Sequence, residues 1–244
     1  MNLIIDIGTS FTKIAVFHNQ EILFKKVLPD ISSEHLSSLT HDFPHLRHAI
    51  LSNVRKKVPA LLKLLKKKFN YFIELTPETP IPLKNLYQSQ ATLGLDRLAA
   101  AVGANNIFPG SNVLVIDTGS AITIDFVNDN NEYTGGNISP GMLMRFKALN
   151  EYTANLPLEK PQEEFNLLGS STSHAITHGV QNGIIFELQG YIDYLTCQKK
   201  NLKIILTGGD ADFFAGKLKN SIFVDSNLTL KGLNKILEYN IEKD

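Results

Sequence analysis

The chain begins with three short stretches of strand-like, largely apolar residues separated by polar turns. These stretches run from Leu3 to Ile7, from Phe11 to Phe17 and from Glu21 to Leu28, with Asn19-Gln20 as the turn before the last one. Strand-length segments joined by short polar turns pair as antiparallel hairpins. The start of the chain therefore predicts a three-stranded antiparallel sheet.

Downstream, apolar runs of strand length alternate with segments of helical periodicity, and three prolines between Thr76 and Pro82 predict a loop. Such alternation is typical of an α/β fold. The predicted helices are 32–39, 58–69, 96–106, 141–151, 173–198, 210–218 and 228–239, and the predicted strands are 49–54, 71–75, 113–117, 121–127, 132–139, 203–207 and 222–224.

The opening motif occurs twice. Residues 4–12 can be laid on residues 115–123 at one fixed offset, so that an Asp, a Gly, a hydroxyl residue and a Thr coincide. A single duplication predicts two similar α/β domains, 1–108 and 109–244, with Phe108-Pro109-Gly110 as the connector. A cleft between two domains is a common place for a ligand.

Composition narrows the classes of function and location. Lys+Arg and Asp+Glu are both 24, so no strongly basic surface for nucleic acid is expected. Cys197 is the single cysteine, which excludes a disulfide within the chain and favours a reducing compartment; on its predicted helix we expect it to be buried or half-buried. No apolar run has the length of a membrane span. We expect a cytoplasmic protein with neither a nucleic-acid nor a membrane partner.

The first turn has the composition of a phosphate-binding loop. Gly8 lets the backbone approach a ligand closely, Lys13 adds positive charge, and Asp6 is placed to hold Mg²⁺ through water. The alternative is an ordinary hairpin with a polar turn, because the spacing of a P-loop is absent. The hydroxyl donors of the turn are Thr9, Ser10 and Thr12.

The second copy, Asp117 to Ala121, repeats this design and includes Ser120. Two such turns strengthen the prediction of a polyphosphate ligand. Asp125 follows on the next strand, and two readings of it stay open: a residue that lines the cleft, or a polar residue of the strand.

The two turns resemble the paired phosphate motifs of the acetate-kinase/sugar-kinase/Hsp70/actin superfamily. Leu206 to Gly209 resembles its adenosine motif, with a plain strand-to-helix turn as the alternative. The resemblance implies two duplicated ribonuclease-H-like (actin-like ATPase) domains with mixed sheets and an interdomain cleft, and it implies ATP with Mg²⁺. The ATP contacts that it implies are Asp6, Ile7, Gly8, Thr9, Ser10, Phe11, Thr12, Lys13 and Ser120.

One segment, Tyr87 to Leu98, resembles the signature of type III pantothenate kinases. This resemblance implies ATP-dependent phosphorylation of pantothenate to 4'-phosphopantothenate, the first step of coenzyme A biosynthesis. Asp96 would be the general base, because phosphoryl transfer to an alcohol needs a group that accepts the hydroxyl proton. The substrate contacts that it implies are Tyr87, Gly94, Leu95, Asp96, Arg97 and Thr172.

Segments 135–141 and 169–176 also resemble that family, which implies a homodimer whose partner subunit contributes to the contact of Thr172 with pantothenate. The family further implies a monovalent cation, potassium or ammonium, held partly by Asp117. The chain departs from the family pattern at Thr9-Ser10, at Ser120 and at Gln88-Ser89. The first two departures keep a hydroxyl group, whereas the third alters the loop on the substrate side.

Several alternatives stay open at this point. Asp96 could cap its helix with Arg97 on the helix surface, and Thr172 could cap the helix that follows it. His174 and His178 share a helix face, but no third ligand accompanies them, so a metal site is not expected. The rival functions are a kinase for another small alcohol and a non-catalytic nucleotide-binding regulator.

Overall fold

The structure is a computed structural model that describes residues 1–55 and 58–244, and these residues form two compact units. The first unit contains residues 1–109, 131–134 and 227–244, and the second contains residues 110–130 and 135–226. Compact units reflect contacts and need not coincide with duplicated domains. The division at residues 108 and 109 therefore stays a prediction.

The first unit is built on a five-stranded sheet in the order β3-β2-β1-β4-β5. The first three strands are antiparallel neighbours, which confirms the predicted hairpins, whereas β4 and β5 add in parallel. Asn19 adopts a positive φ of 52° in the turn before β3. The strands are β1 (Asn2–Ile7), β2 (Thr12–His18), β3 (Glu21–Leu28), β4 (His48–Asn53) and β5 (Tyr71–Glu74).

Four helices belong to this unit, and the last of them comes from the C-terminus of the chain. Helices α1 and α2 cover one apolar core with Leu36, Leu39 and Leu65. Asn234 on the C-terminal helix donates to Asn19 O, and its Oδ1 accepts from Asn2 of β1 at 2.9 Å, which ties that helix to the sheet. The helices are α1 (Ser33–Asp42), α2 (Pro59–Lys68), α3 (Leu95–Ile107) and α7 (Leu228–Ile241).

The second unit has its own sheet, in which the strand order includes β11-β10-β7-β8-β9. Strand β7 pairs antiparallel with β8 and parallel with β10, so this sheet is also mixed. Its core is filled by Phe146, Ile184 and Phe214 and by further apolar residues of the same helices and strands. The elements are β7 (Val113–Thr118), β8 (Ala121–Val127), β9 (Glu132–Pro140), α4 (Met142–Glu151), α5 (Thr172–Gln198), β10 (Lys203–Thr207), α6 (Ala211–Ala215) and β11 (Phe223–Val224).

Three details differ from the sequence-based expectations. Strand β6 (Lys84–Asn85) was not predicted, and it pairs in parallel with the first residues of β9 inside the first unit. Helix α6 ends at Ala215 rather than Leu218. Cys197 is exposed, whereas it was expected to be buried or half-buried on its helix.

In the described ranges 1–55 and 58–244, no helix is both long and apolar enough to cross a membrane.

Helices α3 and α7 approach so closely that only glycine fits at their crossing. A Cβ at Gly232 would lie 1.7 Å from Ala99 O, and a Cβ at Gly103 would lie 2.5 Å from Leu228 O. Both neighbours are backbone atoms, which cannot rotate away. Neither α3 nor α7 can therefore have a side chain larger than that of glycine at this contact.

We expect Gly232→Ala to lower the free energy of unfolding by about 2–3 kcal/mol, because the added methyl group forces the two helices apart. The matched control is Gly216→Ala at the end of α6, a position of helical φ and ψ where a Cβ would meet no described atom within 4 Å. That change should raise the free energy of unfolding by up to about 1 kcal/mol, since alanine favours a helix. Urea denaturation of both variants measures the difference, and equal effects would contradict the packing argument.

Candidate active site

The first predicted phosphate turn joins β1 to β2 and encloses residues 8–11 between the paired residues Ile7 and Thr12. Gly8 N donates to Phe11 O at 3.0 Å, which closes the turn. Ile7 and Thr12 are buried in the sheet at the two ends of this turn. The exposed residues of the turn are Thr9, Ser10 and Phe11.

Asp6 lies on β1 at the point where three strands meet, with Lys13 paired to it on β2 and Ser52 on β4. Its side chain is buried, with 6% exposure. The pKa of the Asp6 carboxyl is raised to about 6, chiefly by burial; the Lys13 charge lowers it, the Asp96 charge raises it and Ser52 lowers it, and the value includes all four effects. Ser52 therefore acts on Asp6 at short range, although neither Asp6 Oδ1 nor Ser52 Oγ forms a hydrogen bond of normal geometry with a described residue.

A buried carboxylate oxygen without a hydrogen-bond partner fits the divalent cation that accompanies ATP. Burial makes the charged form of Asp6 costly, and a nearby Mg²⁺ would favour that form. Carboxylate oxygens are ligands that Mg²⁺ accepts, directly or through water. No group of three or more His, Cys, Asp or Glu side chains that could hold a metal occurs in the described part of the chain, so an all-protein metal site is not expected there.

The second turn joins β7 to β8 and is one residue shorter than the first. Thr118 pairs with Ile122, so residues 119–121 form the turn, compared with residues 8–11 in the first copy. As a result Asp117 pairs with Thr123, whereas Asp6 pairs with Lys13. The fixed offset between residues 4–12 and 115–123 therefore matches equivalent positions in the two hairpins only as far as the turn. The second copy has no lysine opposite its aspartate.

Asp117 is surrounded by residues without side-chain bulk. A Cβ on Gly119 would lie 2.9 Å from Asp117 Oδ1, and a Cβ on Gly208, which has a φ of +96°, would lie 2.5 Å from the same atom. Thr118 Oγ1 donates to Thr207 O at 3.0 Å and ties β7 to β10 beside the carboxylate. The segment predicted to bind adenosine, 206–209, therefore also makes room for the Asp117 carboxylate.

The two other predicted positions in this region differ in exposure. Ser120 lies exposed in the turn, where its side chain can meet a ligand. Asp125 is buried in β8 with 1% exposure, and a Cβ on Gly136 would lie 2.6 Å from its Oδ1. These data favour a polar residue inside the sheet over a residue that lines a cleft.

Asp96 is exposed in the first turn of α3. Its Oδ1 accepts a hydrogen bond from Arg97 N at 2.8 Å, which orients the carboxylate at the positive end of the helix. The N-cap position is Gly94, so Asp96 does not take the capping position that the alternative gave it. A Cβ on Gly94 would lie 2.6 Å from Asp96 Oδ1, which explains why glycine precedes Leu95 and Asp96 here.

Arg97 is buried, with 5% exposure, although it follows the exposed Asp96. Its guanidinium carbon lies 5.8 Å from the centre of the Tyr87 ring, and Tyr87 in turn packs against Tyr133 at 6.1 Å between ring centres. All three residues belong to the first unit. The alternative that placed Arg97 on the helix surface is therefore wrong.

Thr172 is the first residue of α5 and is exposed. The N-cap residue is Ser171, whose side chain accepts from His174 N at 3.2 Å. The alternative that made Thr172 the cap is therefore wrong.

His174 and His178 stack with 5.2 Å between ring centres beside Phe165 and Lys217, in a cavity of about 520 Å³.

Arg55 was missed by the sequence analysis. It follows β4, and its Nε donates to Gly8 O at 2.6 Å, so it contacts the first phosphate turn directly. No motif marks this position, because the two residues are 47 apart in the chain and the contact depends on β1 and β4 pairing in parallel.

We expect Asp6→Asn to raise the melting temperature above pH 6. A carboxyl whose folded-state pKa is raised stabilises the fold when protonated, and this stability is lost as pH rises from about 4 through about 6. The amide avoids that loss, so the variant should melt roughly 5 °C higher at pH 8. Calorimetry at pH 4 and pH 8 checks this; a lower melting temperature of the variant at pH 8 would contradict it.

Comparisons with known proteins agree on one family. The family model for type III pantothenate kinase matches residues 2–194. A protein of Phocaeicola vulgatus named type III pantothenate kinase is 47% identical over 240 residues, which cover 98% of this chain and 99% of that protein.

Solved structures agree in fold. A Campylobacter jejuni protein, provisionally described as a Baf family transcriptional activator, superposes with a TM-score of 0.62 at 26% identity, covering 98% of this chain and 99% of that one. A Listeria monocytogenes protein, provisionally described as an N-acetylmannosamine kinase, gives a TM-score of 0.54 at 13% identity, covering 100% and 99% of the two chains. The second likeness supports the predicted sugar-kinase fold class. By its sequence over nearly its full length, the chain belongs to the type III pantothenate kinase family.

Proposed function

We propose that the protein transfers the γ-phosphoryl group of ATP to the terminal hydroxyl of pantothenate, which gives 4'-phosphopantothenate in the first step of coenzyme A biosynthesis. One observation carries the proposal: Asp96 stands exposed at the head of α3, in the same unit as Asp6, which lies on β1 just before the first phosphate turn. The two carboxylates interact electrostatically, since Asp96 raises the pKa of Asp6. A candidate base and a candidate phosphate turn thus lie close together.

Asp96 is the proposed general base. The pantothenate hydroxyl gives its proton to the Asp96 carboxylate while the hydroxyl oxygen attacks the γ-phosphorus, and the bond between that phosphorus and the β,γ-bridging oxygen breaks to release ADP. The hydrogen bond from Arg97 N fixes one carboxylate oxygen at 2.8 Å. The other oxygen can then face the substrate.

The substrate contacts are proposed from the surroundings of Asp96. Arg97 carries a fixed positive charge suited to the pantothenate carboxylate, and packing against Tyr87 holds its planar group in place. Gly94 and Leu95 present backbone beside Asp96. Thr172, whose hydroxyl does not cap its helix, is proposed to contact pantothenate as well.

The nucleotide is proposed to bind through the backbone and side chains of residues 6–13 and through Ser120. Asp6 would hold Mg²⁺, directly or through water, and the bound ion would supply charge neutralisation for the transferring phosphoryl group. Lys13, paired with Asp6 across the hairpin, adds a positive charge on the protein side. A potassium or ammonium ion is proposed at Asp117, whose half-buried side chain lies beside Gly119 and Gly208.

A homodimer is proposed because the second unit exposes large apolar side chains that a monomer would leave in water. On α5, Phe186 is 59% exposed and Tyr194 is 65% exposed, and on α4, Leu143 is 59% exposed. Light scattering that gives the mass of a single chain would contradict this homodimer.

We also propose a cytoplasmic location, in keeping with a single cysteine and a coenzyme-forming reaction.

ADP release tests the reaction, with purified protein, ATP and Mg²⁺, with and without pantothenate, in potassium and then in sodium salts. We expect turnover that depends on pantothenate and is faster in potassium. Asp96→Asn should lose about 10²–10⁴-fold in kcat while its melting temperature stays near that of the original protein. ATP binding without turnover of pantothenate or another small alcohol would instead favour a nucleotide-binding regulator; the Campylobacter jejuni protein is described as a transcriptional activator.

Gly94→Ala is expected to lower kcat by at least about tenfold, because its methyl group would displace the Asp96 carboxylate from its present position. Fold stability should change little at this partly exposed helix start. Steady-state kinetics and a thermal melt separate the two effects. Full kcat with an unchanged melt would show that the close approach of Gly94 to Asp96 has no role in the reaction.

A further inference from the structure

Arg55 connects three segments around the first phosphate turn, all within the first unit. Its Nε donates to Gly8 O at 2.6 Å, and its Nη1 donates to Pro29 O at 3.1 Å and to Asp30 Oδ1 at 2.8 Å. The side chain is 25% exposed, whereas that of Asp30 is 85% exposed. The arginine thus reaches inward to the turn and outward to one solvated carboxylate.

Two successive carbonyl groups of the turn are held from the β4 side. Val54 N donates to Ile7 O at 3.0 Å, and Arg55 Nε donates to Gly8 O at 2.6 Å. The described chain contains no cis peptide, so the N–H of each of these peptide groups points away from its carbonyl. The N–H groups of Gly8 and Thr9 are therefore directed away from Val54 and Arg55.

Successive N–H groups directed to one side form the type of concavity that binds phosphate. Gly8 N already donates to Phe11 O within the turn, at 3.0 Å. The N–H group whose direction Arg55 controls is therefore that of Thr9. Since Gly8 has no side chain to restrict its peptide, that direction depends on what holds Gly8 O. A charged donor holds a carbonyl more firmly than a neutral one.

The other contacts of Arg55 are longer or more exposed than its bond to the turn. Its Nη1 donates to Pro29 O at 3.1 Å, and its ion pair with Asp30 is exposed on one side, so that pair contributes little to stability. Its Nη2 is buried and has no hydrogen-bond partner among residues 1–55 and 58–244. The shortest of the Arg55 side-chain bonds is the one from Nε to Gly8 O, which ties Arg55 to the turn.

We propose that Arg55 is a positioning residue for the nucleotide: it holds the Gly8–Thr9 peptide so that Thr9 N faces the ATP phosphates. This inference rests on the proposed binding of ATP at residues 6–13. It goes further by assigning the orientation of that turn to a residue outside the motif. Loss of Arg55 should therefore weaken ATP binding and leave pantothenate binding unchanged.

The test compares Arg55→Met with the original protein in two measurements. We expect KM for ATP to rise about tenfold at constant KM for pantothenate, the size of effect that loss of one charge-assisted hydrogen bond produces. Calorimetric titration of ATP–Mg²⁺ without pantothenate should show the same loss in Kd. Arg55→Lys should recover part of the affinity, since an ammonium group can still donate to one carbonyl.

Asp30→Asn is the matched control, because it removes the ion pair and leaves the bond from Arg55 Nε to Gly8 O in place. We expect its KM for ATP and its Kd for ATP to equal those of the original protein. The proposal is overturned if Arg55→Met binds ATP normally, if both KM values rise together with a fall in melting temperature, or if Asp30→Asn loses as much ATP affinity as Arg55→Met.

Failure of the proposed function can be told apart from failure of this inference. If the original protein binds ATP but does not phosphorylate pantothenate, the proposed reaction is wrong, and the two Kd values still decide the role of Arg55. If the original protein does not bind ATP at all, both proposals are overturned.

Discussion

The constraint on which the first unit depends is a buried carboxylate, that of Asp6, whose negative charge is disfavoured by burial. Asp6 lies inside the meeting point of β1, β2 and β4, and burial raises its pKa to about 6. An apolar residue there would make the sheet more stable, so this position reduces stability in exchange for a ligand site. Lys13 and Ser52, paired with Asp6 on the two neighbouring strands, offset part of that cost.

The duplication repeats the backbone design but not the electrostatics. Because the second turn is one residue shorter, β8 places Thr123 opposite Asp117, whereas β2 places Lys13 opposite Asp6. Asp117 therefore has no cross-strand lysine, and Gly119 and Gly208 lie beside its carboxylate. The different partners of the two aspartates fit the different ions proposed for them.

The strands and most helices could be predicted because their signals are local. Runs such as Leu3 to Ile7 and the periodicity of α3 need no knowledge of distant residues, and the duplicated Asp-x-Gly motif marks both turns. Features that depend on distant pairing could not be predicted in this way. Strand β6 exists only through its pairing with β9, and the contact of Arg55 with Gly8 requires β4 to lie beside β1.

The burial of Arg97 shows the same limit inside a recognised motif. Its neighbour Asp96 is exposed, so the local pattern also allowed a surface arginine, whereas the guanidinium in fact lies beside Tyr87, which packs against Tyr133. Tyr133 is the second residue of β9, far along the chain from the motif, yet it belongs to the same compact unit. The substrate side of the proposed site therefore depends on a short excursion of the chain, residues 131–134, that brings one aromatic ring into the first unit. The identity of residue 133 should consequently influence how Arg97 meets a carboxylate, although no motif includes it.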